Sequence, residues 1–429
     1  MPGVDPASVT IMIKPVGARC TGTCAYCYYG PGEQSGGTGE TMEFNVLESV
    51  FAGYLPRAPG CVTIAWQGGE PTLAGLPFFR RAVQAAARHA RPGQTVTHTL
   101  QTNGTLLNEA WCRFLRDNRF LVGLSIDGPR HLHDSYRTLR SGGSSHEAAA
   151  SAFRSLRDHG VACNVLSVIH DGNVHAPDEV LGHLLDLGAR WLQFIPVIEW
   201  TPDEGSGSKR PASWCPDPLA YGRFLCRILD LWLARHRDSV SERAIDALIY
   251  RMTTGVESLC TAASLCARQL TVESDGSVYA CDHFVTPEWR LGRICGNGPS
   301  LDREWPAGVD GAALARFVLR KRDLAEGCRG CEWRTFCGGG CPKHRPAEGL
   351  PSVLCPGYRL WFAHAVPRLE PLAREMRARD RSTSSRFGQD RITETAPRSG
   401  FQGPEGRNSP CPCGSGLKWK RCCGAHDRS

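Results

Sequence analysis

Three cysteines near the N-terminus have a spacing that suits an iron–sulfur cluster. Cys20, Cys24 and Cys27 form a C-x3-C-x2-C loop just after an apolar segment, Val9–Lys14, that we predict to be a strand. Three thiolates bind three of the four irons of a 4Fe-4S cluster, so the fourth iron keeps an open coordination site for another ligand. The alternative interpretation is a zinc loop that lacks its fourth ligand.

Eight further cysteines, between residues 260 and 355, are spaced for two more metal centres. Eight thiolates suit two fully coordinated 4Fe-4S clusters, and on count alone they would equally suit two tetrahedral zinc sites. Met1–Thr10 has neither the basic start nor the apolar stretch of a signal peptide, so we expect a cytoplasmic protein. In a reducing cytosol, cysteines at short fixed spacings are metal ligands more often than disulfides. The eight are Cys260, Cys266, Cys281, Cys328, Cys331, Cys337, Cys341 and Cys355.

The C-terminal tail carries another group of cysteines, in the short segment 410–425. Four thiolates this close suit tetrahedral zinc, and in so short a segment the metal must supply most of the folding energy. The preceding segment, 379–409, is polar and short of apolar residues, so we predict a flexible linker. The tail ligands are Cys411, Cys413, Cys422 and Cys423, and the cysteines expected to be small core side chains are Cys61, Cys112, Cys163, Cys215, Cys226 and Cys295.

The net charge of +7 lies mostly in the tail from Pro371 onward, and the rest of the chain is close to neutral. A basic surface that binds nucleic acid is therefore not indicated. No apolar run approaches the roughly 18–20 residues that cross a bilayer, so we expect no membrane partner.

Six alternations of a short apolar strand and a longer helix are predicted between residues 8 and 196. This order predicts a parallel sheet, either an open doubly wound sheet or a barrel. Farther along, a less regular bridge over 197–255 contains an amphipathic helix around Tyr221–His236, and a last helix is predicted near Leu360–Ala378. The predicted strands are Val9–Lys14, Val62–Trp66, Thr95–Gln101, Leu121–Ile126, Ala162–Ile169 and Trp191–Ile195, and helices between them include Pro77–His89 and His146–Asp158.

Glycines and polar residues follow several of these strands, at the edge where barrel enzymes build their sites. They lie in Trp66–Gly75, Gln101–Gly104, Ser125–Pro129 and Trp191–Pro196. Together with the cysteine triplet and its Tyr26, these strand ends resemble the radical S-adenosylmethionine (SAM) superfamily. The resemblance implies an α/β fold with a partial (β/α)6 TIM-type barrel over 8–196, in which SAM binds the open iron. One electron from the cluster would then release a 5′-deoxyadenosyl radical.

The resemblance also assigns contacts to SAM. The Gly-Gly-Glu-Pro turn at Gly68–Pro71 would receive the amino group of SAM, since glycines let the backbone approach closely. Arg137, after the fourth strand, would bind the carboxylate of SAM. The SAM-binding residues implied in this way are Tyr26, Gly68, Gly69, Glu70, Ser125, Arg137 and Leu192.

The eight-cysteine region, placed after such a barrel, resembles the iron–sulfur SPASM domain of peptide-modifying radical SAM enzymes, here over 256–378. The resemblance implies two auxiliary 4Fe-4S clusters with interleaved ligands, a pairing that the spacing alone cannot reveal. The tail segment 410–425 resembles the SEC-C motif, a small zinc-binding module. The nearer auxiliary cluster would be held by Cys260, Cys266, Cys281 and Cys341, and the farther one by Cys328, Cys331, Cys337 and Cys355.

Four segments resemble anaerobic sulfatase-maturating enzymes in particular: Ile13–Pro15, Gln67–Gly75, Leu192–Pro196 and Val272–Phe284. The resemblance implies the oxidation of one Cys or Ser side chain of a sulfatase polypeptide, unfolded or nascent, to formylglycine (3-oxoalanine). Asp282, directly after ligand Cys281, would be the base that takes the proton of the substrate thiol or hydroxyl. A low-potential donor such as flavodoxin or ferredoxin would supply electrons.

Alternatives to this interpretation stay open. Asp282 could instead be a hydrogen-bond partner of a cluster ligand. The same clusters would serve another SPASM enzyme, which forms thioether or carbon–carbon crosslinks in a ribosomal peptide. A non-catalytic metal-binding adaptor is disfavoured, because the triplet leaves an open iron site and the SAM-contact positions are filled. The 260–266 loop also lacks the glycines that we expect in sulfatase-maturating enzymes, a departure that concerns the fit to the substrate.

Overall fold

The computed structural model describes residues 9–29, 40–203, 208–266, 269–294 and 310–386 of the 429-residue chain. The described part of the chain up to Met376 forms one compact unit. The second unit, Arg377–Ser429, is described only as far as Arg386, where a helix ends. The predicted zinc segment 410–425, Cys295 and most of the predicted linker lie outside the described residues.

Six parallel strands pair in chain order and form the barrel. The pairing runs from Val9↔Val62 between the first two strands to Ile169↔Pro196 between the last two. Successive side chains point to opposite faces of a strand, and in Cys61–Trp66 every second residue is buried. The predicted α/β fold with a partial (β/α)6 barrel is therefore confirmed. The strands are β1 (Val9–Ile13), β2 (Cys61–Trp66), β3 (Thr95–Thr102), β4 (Leu121–Ser125), β5 (Ala162–Ile169) and β6 (Trp191–Pro196).

Helices between the strands cover one face of the sheet. The ring of Trp66 on β2 lies edge-on to the rings of Phe51 and Phe79 on the two neighbouring helices, with centroid distances of 6.5 and 5.1 Å. These contacts between large, buried aromatic side chains fix the strand against its helices. The helices are α1 (Phe44–Tyr54), α2 (Leu76–His89), α3 (Glu109–Asp117), α4 (Arg130–His133), α5 (His146–Asp158) and α6 (Pro177–Asp186).

The segment after the barrel is more regular than we predicted. It contains a small hairpin, two helices and a short strand that pairs with the last barrel strand. The predicted amphipathic helix begins at Pro218 because the side chain of Asp217 caps it, accepting a hydrogen bond from Ala220 N at 2.8 Å. These elements are β7 (Trp200–Pro202), β8 (Lys209–Pro211), α7 (Pro218–Leu231) with a π-helical turn at Trp232–His236, β9 (Ser241–Glu242) and α8 (Arg243–Thr254).

Three further strands extend the sheet beyond the barrel, and none of them was predicted from the sequence. They are β10 (Gln269–Val272), β11 (Ser277–Tyr279) and β12 (Arg290–Arg293). β10 runs parallel to β1, with Thr10 opposite Gln269 and Ile13 opposite Val272, and the other two strands follow antiparallel. The sheet order is β12-β11-β10-β1-β2-β3-β4-β5-β6-β9. The segments that follow β1 and β10 therefore start side by side.

The rest of the cysteine-rich region consists of short helices and loops, followed by one long helix. These helices are α9 (Gly311–Leu319), α10 (Glu326–Arg329), α11 (Arg334–Cys337) and α12 (Cys355–Arg386). α12 runs past Ala378, where we predicted its end. Within the described ranges, no helix is long and apolar enough to cross a membrane. Of the cysteines expected in the core, Cys112 and Cys226 are buried there, and Cys163 and Cys215 pack against it.

Candidate active site

A cavity of about 800 Å³ lies at the carboxyl ends of the barrel strands. On the barrel side, it is lined by residues at or after the strand ends, such as Gln67, Ser125 and Gln193. Other lining residues come from the cysteine-rich region. The cavity brings together eight of the predicted cluster ligands and the predicted base: Cys20, Cys24, Cys27, Cys260, Cys266, Cys281, Cys337, Cys341 and Asp282.

The glycine turn after β2 is bonded directly to the loop that leads into the cysteine triplet. Gly69 N donates to Gly17 O and Glu70 N donates to Arg19 O, both at 2.8 Å. A Cβ atom at Gly69 would lie 2.0 Å from Arg19 O, so no other residue fits this approach. The turn therefore positions the triplet, in addition to lining the cavity through Gly68 and Gly69.

Replacing Gly69 by alanine is expected to displace this turn from the triplet loop. We expect at least tenfold weaker SAM binding, about 1.4 kcal/mol, together with a lower iron content after anaerobic reconstitution. Equilibrium dialysis with SAM and iron analysis would measure both effects. Gly60→Ala is the matched control, because a Cβ there meets nothing within 4 Å. SAM binding equal to that of the Gly60→Ala control would contradict the positioning role of Gly69.

Five of the seven predicted SAM contacts line the cavity, and two do not. The side chain of Glu70 is fully buried away from it: its carboxylate accepts hydrogen bonds from Thr102 Oγ1 and Asn103 N, both at 2.8 Å. Burial raises the pKa of Glu70. Glu70 thus ties the turn after β2 to the end of β3. Leu192 is 2% exposed and packs in the core, one residue before the cavity-lining Gln193.

A buried ion pair holds Arg137 beside the triplet. Arg137 Nε donates to Asp127 Oδ2 at 2.7 Å, and Asp127 also accepts hydrogen bonds from the Tyr26 hydroxyl and, at 2.8 Å, from Val168 N. Burial would raise the pKa of Asp127, but the charge of Arg137 outweighs it and lowers the pKa. Arg137 Nη1 lies 3.9 Å from Cys24 Sγ. One edge of the Arg137 guanidinium therefore faces the triplet, and Asp127 holds the other edge in place.

Asp127 was not among the predicted site residues. The signal for it was its position two residues after the end of β4, where polar residues of barrel enzymes enter the site. Two backbone hydrogen bonds reinforce the same arrangement, from Thr23 N to Thr138 O at 2.8 Å and from Ala25 N to Tyr136 O at 3.0 Å. The segment that carries Arg137 thus also fixes the backbone of the triplet loop.

Asp282 lies half-buried at the cavity, on the side of the cysteine-rich region. Its Oδ2 accepts a hydrogen bond from the Tyr28 hydroxyl at 3.1 Å, and that hydroxyl accepts one from Gln67 Nε2 at 3.2 Å. Burial would raise the pKa of Asp282, but the electrostatic effects of His283 and Lys14 and the hydrogen bond from Tyr28 lower it. Tyr28, which was not among the predicted site residues, therefore links the predicted base to the triplet loop.

A buried ion pair lies at the ends of β1 and β10. Lys14 Nζ is 2.8 Å from Glu273 Oε1, and both side chains are almost inaccessible to solvent. The Lys14 ammonium also lies 4.5 Å from the centre of the Tyr29 ring. Burial would lower the pKa of Lys14, but the neighbouring Tyr29, Glu273 and Asp282 raise it, so Lys14 stays charged. This charge favours the ionised form of Asp282.

The eight cysteines of the SPASM-like region fall into two groups of neighbours. The first we call the near set. Here Cys341 acts electrostatically on Cys260 and Cys281, and Cys260 acts on Cys266. The second we call the far set, and in it Cys337 lies close to its three partners. The near set is Cys260, Cys266, Cys281 and Cys341, and the far set is Cys328, Cys331, Cys337 and Cys355, which are the groups that the resemblance implied.

Each set offers four thiols, the number of ligands of a fully coordinated 4Fe-4S cluster and of a tetrahedral zinc site. Among the described residues, no group of three or more His, Cys, Asp or Glu side chains is arranged to hold one metal ion. A tetrahedral zinc site needs four sulfurs about 2.3 Å from one point, whereas a 4Fe-4S cage spreads its ligands over four irons. The loop between Cys260 and Cys266 and the loop between Cys337 and Cys341 are in close backbone contact. A Cβ atom at Gly338 would lie 2.2 Å from Ala262 O.

Comparisons with known proteins agree with this site. Residues 15–184 match the radical SAM superfamily, and residues 407–425 match the SEC-C motif. The chain is 34% identical over 376 residues to a serine-type anaerobic sulfatase-maturating enzyme of Klebsiella aerogenes, covering 87% of this chain and 89% of that enzyme. It is 31% identical over 377 residues to a cysteine-type anaerobic sulfatase-maturating enzyme of Clostridium perfringens, covering 86% of this chain and 99% of that enzyme.

A solved structure gives the same result. The structure of native anSMEcpe with bound AdoMet and Cp18Cys peptide matches with a TM-score of 0.77 and 32% identity, covering 86% of this chain and 99% of that one. Superfamily membership brings with it SAM and the iron–sulfur cluster that binds SAM, and the three cavity-facing thiols of the triplet have the donor chemistry for that cluster. The resemblance found in the sequence is confirmed, and the chain belongs to the anaerobic sulfatase-maturating enzymes of the radical SAM superfamily.

Proposed function

We propose that this protein oxidises a Cys or Ser side chain of a sulfatase polypeptide to formylglycine. The observation that carries the proposal is the placement of Asp282 in the same cavity as Cys20, Cys24 and Cys27. A substrate side chain in this cavity can be within reach of a radical source on one side and of a base on the other. The relatives named above, serine-type and cysteine-type, support both substrates.

The cofactor-binding residues follow from the cavity lining. Cys20, Cys24 and Cys27 would hold the cluster that binds SAM. Arg137 and the Gly68–Gly69 turn would orient the carboxylate and amino groups of SAM. When bound, the cluster and SAM supply the one-electron chemistry that removes a hydrogen atom from the substrate Cβ. Tyr26 and Ser125 complete this wall of the cavity.

Asp282 takes the proton of the substrate in this proposal. Loss of a hydrogen atom from Cβ, a proton from the thiol or hydroxyl, and one electron leaves a carbon–sulfur or carbon–oxygen double bond. For serine the product is the aldehyde itself, and for cysteine a thioaldehyde that water converts to the aldehyde with release of hydrogen sulfide. The Tyr28 hydroxyl holds Asp282 Oδ2 in place, so the carboxylate is preorganised for proton transfer.

The electron has a short route out of the cavity. Cys281 and Asp282 are consecutive, so proton and electron leave the substrate at neighbouring points. We propose that the near set and the far set hold two auxiliary 4Fe-4S clusters. Tyr358 lies within electrostatic reach of Cys337 in the far set and of Cys341 in the near set, which supports direct passage between them. A low-potential protein such as flavodoxin or ferredoxin would be the external electron-transfer partner. A cytoplasmic location stays a prediction.

The test is peptide oxidation under anaerobic conditions. The chain is reconstituted with iron and sulfide, then mixed with SAM, a reductant and a sulfatase-like peptide that carries Cys-x-Pro-x-Arg or Ser-x-Pro-x-Arg. Mass spectrometry should show the aldehyde, with 5′-deoxyadenosine formed in step. SAM cleavage with both peptides unchanged would overturn the proposal and favour a crosslinking enzyme for ribosomal peptides.

We further propose that the SEC-C segment binds zinc through Cys411, Cys413, Cys422 and Cys423 and recruits a protein partner, such as the sulfatase. Deleting residues 387–429 should reduce sulfatase maturation in cells and leave peptide oxidation by the purified enzyme unchanged. The double variant Cys411→Ser with Cys413→Ser separates the metal from the rest of the tail: it should lose the zinc and show the same cellular defect. Full maturation by the deletion variant would exclude recruitment.

A further inference from the structure

Lys321 is a buried cation in contact with the ligand loop of the near set. It lies in a 3-10 turn, Arg320–Arg322, directly after α9, and is 1% exposed. Its Nζ donates hydrogen bonds to Cys260 O at 2.5 Å and to Thr261 O at 3.0 Å. The ammonium thus lies against the backbone of a predicted cluster ligand, at the wall of the cavity.

The protein gives this ammonium no carboxylate partner among the described residues. Its hydrogen-bond acceptors are two neutral carbonyl groups. Burial lowers the pKa of Lys321, and the groups that oppose this effect are Cys260, Cys341 and Cys266, whereas Arg345 adds to it. A buried cation is costly unless a negative group compensates it. Three of the four near-set cysteines lie where they can compensate this cation, as the thiolates that would hold a cluster.

Other contacts hold Lys321 in place rather than neutralise it. Arg345, which is also buried, donates from Nη2 to the carbonyl oxygens of Lys321 and Gly339, at 3.3 and 3.2 Å. Arg345 Nη1 donates to Asp323 O at 2.7 Å. The turn that carries Lys321 is therefore bound on its far side to the loop between Cys337 and Cys341. The position of the ammonium relative to the near set is fixed by backbone contacts.

We propose that Lys321 raises the reduction potential of the auxiliary cluster held by the near set, and so makes that cluster the electron acceptor for the substrate. The inference rests on the proposed function, which places a cluster there. Reduction adds a negative charge to a cluster, and a fixed positive charge at short range in a poorly solvated site stabilises the reduced form. Lys321 does not touch the substrate. It acts through the cluster, by setting where the electron goes, so it is a positioning residue and not a catalytic one.

The far set provides an internal comparison. The cation that acts on its Cys355 is Arg359, which is exposed to solvent. Charges in contact with water are screened and shift a potential much less than a buried charge. Removing the charge of Lys321 should therefore change one auxiliary cluster and leave the other unchanged. A general loosening of the cysteine-rich region would instead change both.

The test is a redox titration followed by electron paramagnetic resonance. All variants are made in a chain in which Cys20, Cys24 and Cys27 are alanine, so that only the auxiliary clusters contribute. Lys321→Met removes the charge, and Lys321→Gln removes it while keeping hydrogen-bond donors for the two carbonyls. Lys321→Arg restores a cation. Arg322→Met is the matched control, because it removes an exposed charge from the same turn.

We expect Lys321→Met and Lys321→Gln to shift one of the two auxiliary signals to lower potential. The shift should be at least a tenfold change in the ratio of reduced to oxidised cluster, which is 59 mV for one electron. Lys321→Arg should restore most of the potential, and Arg322→Met should change neither signal. If Lys321→Met fails to retain iron, Lys321→Gln decides.

Two results would overturn the inference while the proposed function stands. One is full iron content with both potentials unchanged in Lys321→Gln, and the other is an equal shift of both signals. A chain without Cys20, Cys24 and Cys27 that holds no iron at all would instead remove the auxiliary clusters themselves, and the proposed electron route with them. Iron analysis before each titration distinguishes these cases.

Discussion

Asp282→Asn is expected to abolish most formylglycine formation while SAM cleavage continues. The amide keeps the size of the carboxylate and a hydrogen bond with the Tyr28 hydroxyl, but it cannot take a proton from the substrate. A positioned general base contributes about 10²- to 10⁴-fold to a rate, so we expect a loss of at least about 100-fold in aldehyde formation. Mass spectrometry of the peptide and quantification of 5′-deoxyadenosine would measure the two steps separately.

The control for this variant is another aspartate of the same region. Asp275 lies in the turn between β10 and β11, where its carboxylate accepts a hydrogen bond from Ser277 N at 2.9 Å, and it does not line the cavity. Asp275→Asn should therefore keep normal peptide oxidation. Iron content must also be equal in both variants, since Asp282 follows Cys281 directly. An undiminished aldehyde yield from Asp282→Asn would remove Asp282 from the role of base.

Asp127→Ala is expected to lower the apparent free energy of unfolding by about 3–5 kcal/mol, the usual cost of breaking a buried ion pair by removing one partner. The variant leaves the Arg137 guanidinium without its counter-charge and removes the acceptor for Tyr26 and for Val168 N. Urea denaturation of the reconstituted enzyme under anaerobic conditions, followed by circular dichroism, would measure the change. SAM binding should weaken as well, because Arg137 loses its fixed orientation.

An exposed ion pair offers the matched comparison for this stability effect. Arg227 binds Asp178 between α7 and α6, and both side chains are at least half exposed. Such pairs contribute about 0–1 kcal/mol, so Asp178→Ala should have little effect on unfolding. Equal losses in Asp127→Ala and Asp178→Ala would show that burial of the Asp127–Arg137 pair does not matter.

The barrel could be predicted from sequence because its signals are local. Each strand is a short apolar run followed by a helix, and Ala162–Ile169 and His146–Asp158 have the predicted ends. β10 could not be predicted in this way. It has four residues, and its partner β1 lies at the other end of the barrel sequence, so no local pattern indicates the pairing.

The candidate site shows the same division. The spacing of the triplet is a property of one short segment, and the position of Asp282 directly after Cys281 is a property of another. The sequence alone indicated both. Lys321 and Tyr28 gain their roles only from contacts between segments that are far apart in the chain. Glu70 shows the opposite case, because its motif indicated a contact with SAM. Its buried carboxylate instead accepts hydrogen bonds from Thr102 and Asn103, and so connects the turn after β2 to the end of β3.

The pairing of β10 with β1 also has a consequence for how the chain is made. β1 leaves the ribosome well before its neighbour on one side, Gln269–Val272, which follows only about 260 residues later. At about 5–20 residues per second, the wait is roughly 10–50 seconds. During this time an apolar strand has an open edge, and such edges pair with other chains. Nascent chains therefore pass through an aggregation-prone stage that ends only when β10 docks and brings Cys281 beside the triplet loop.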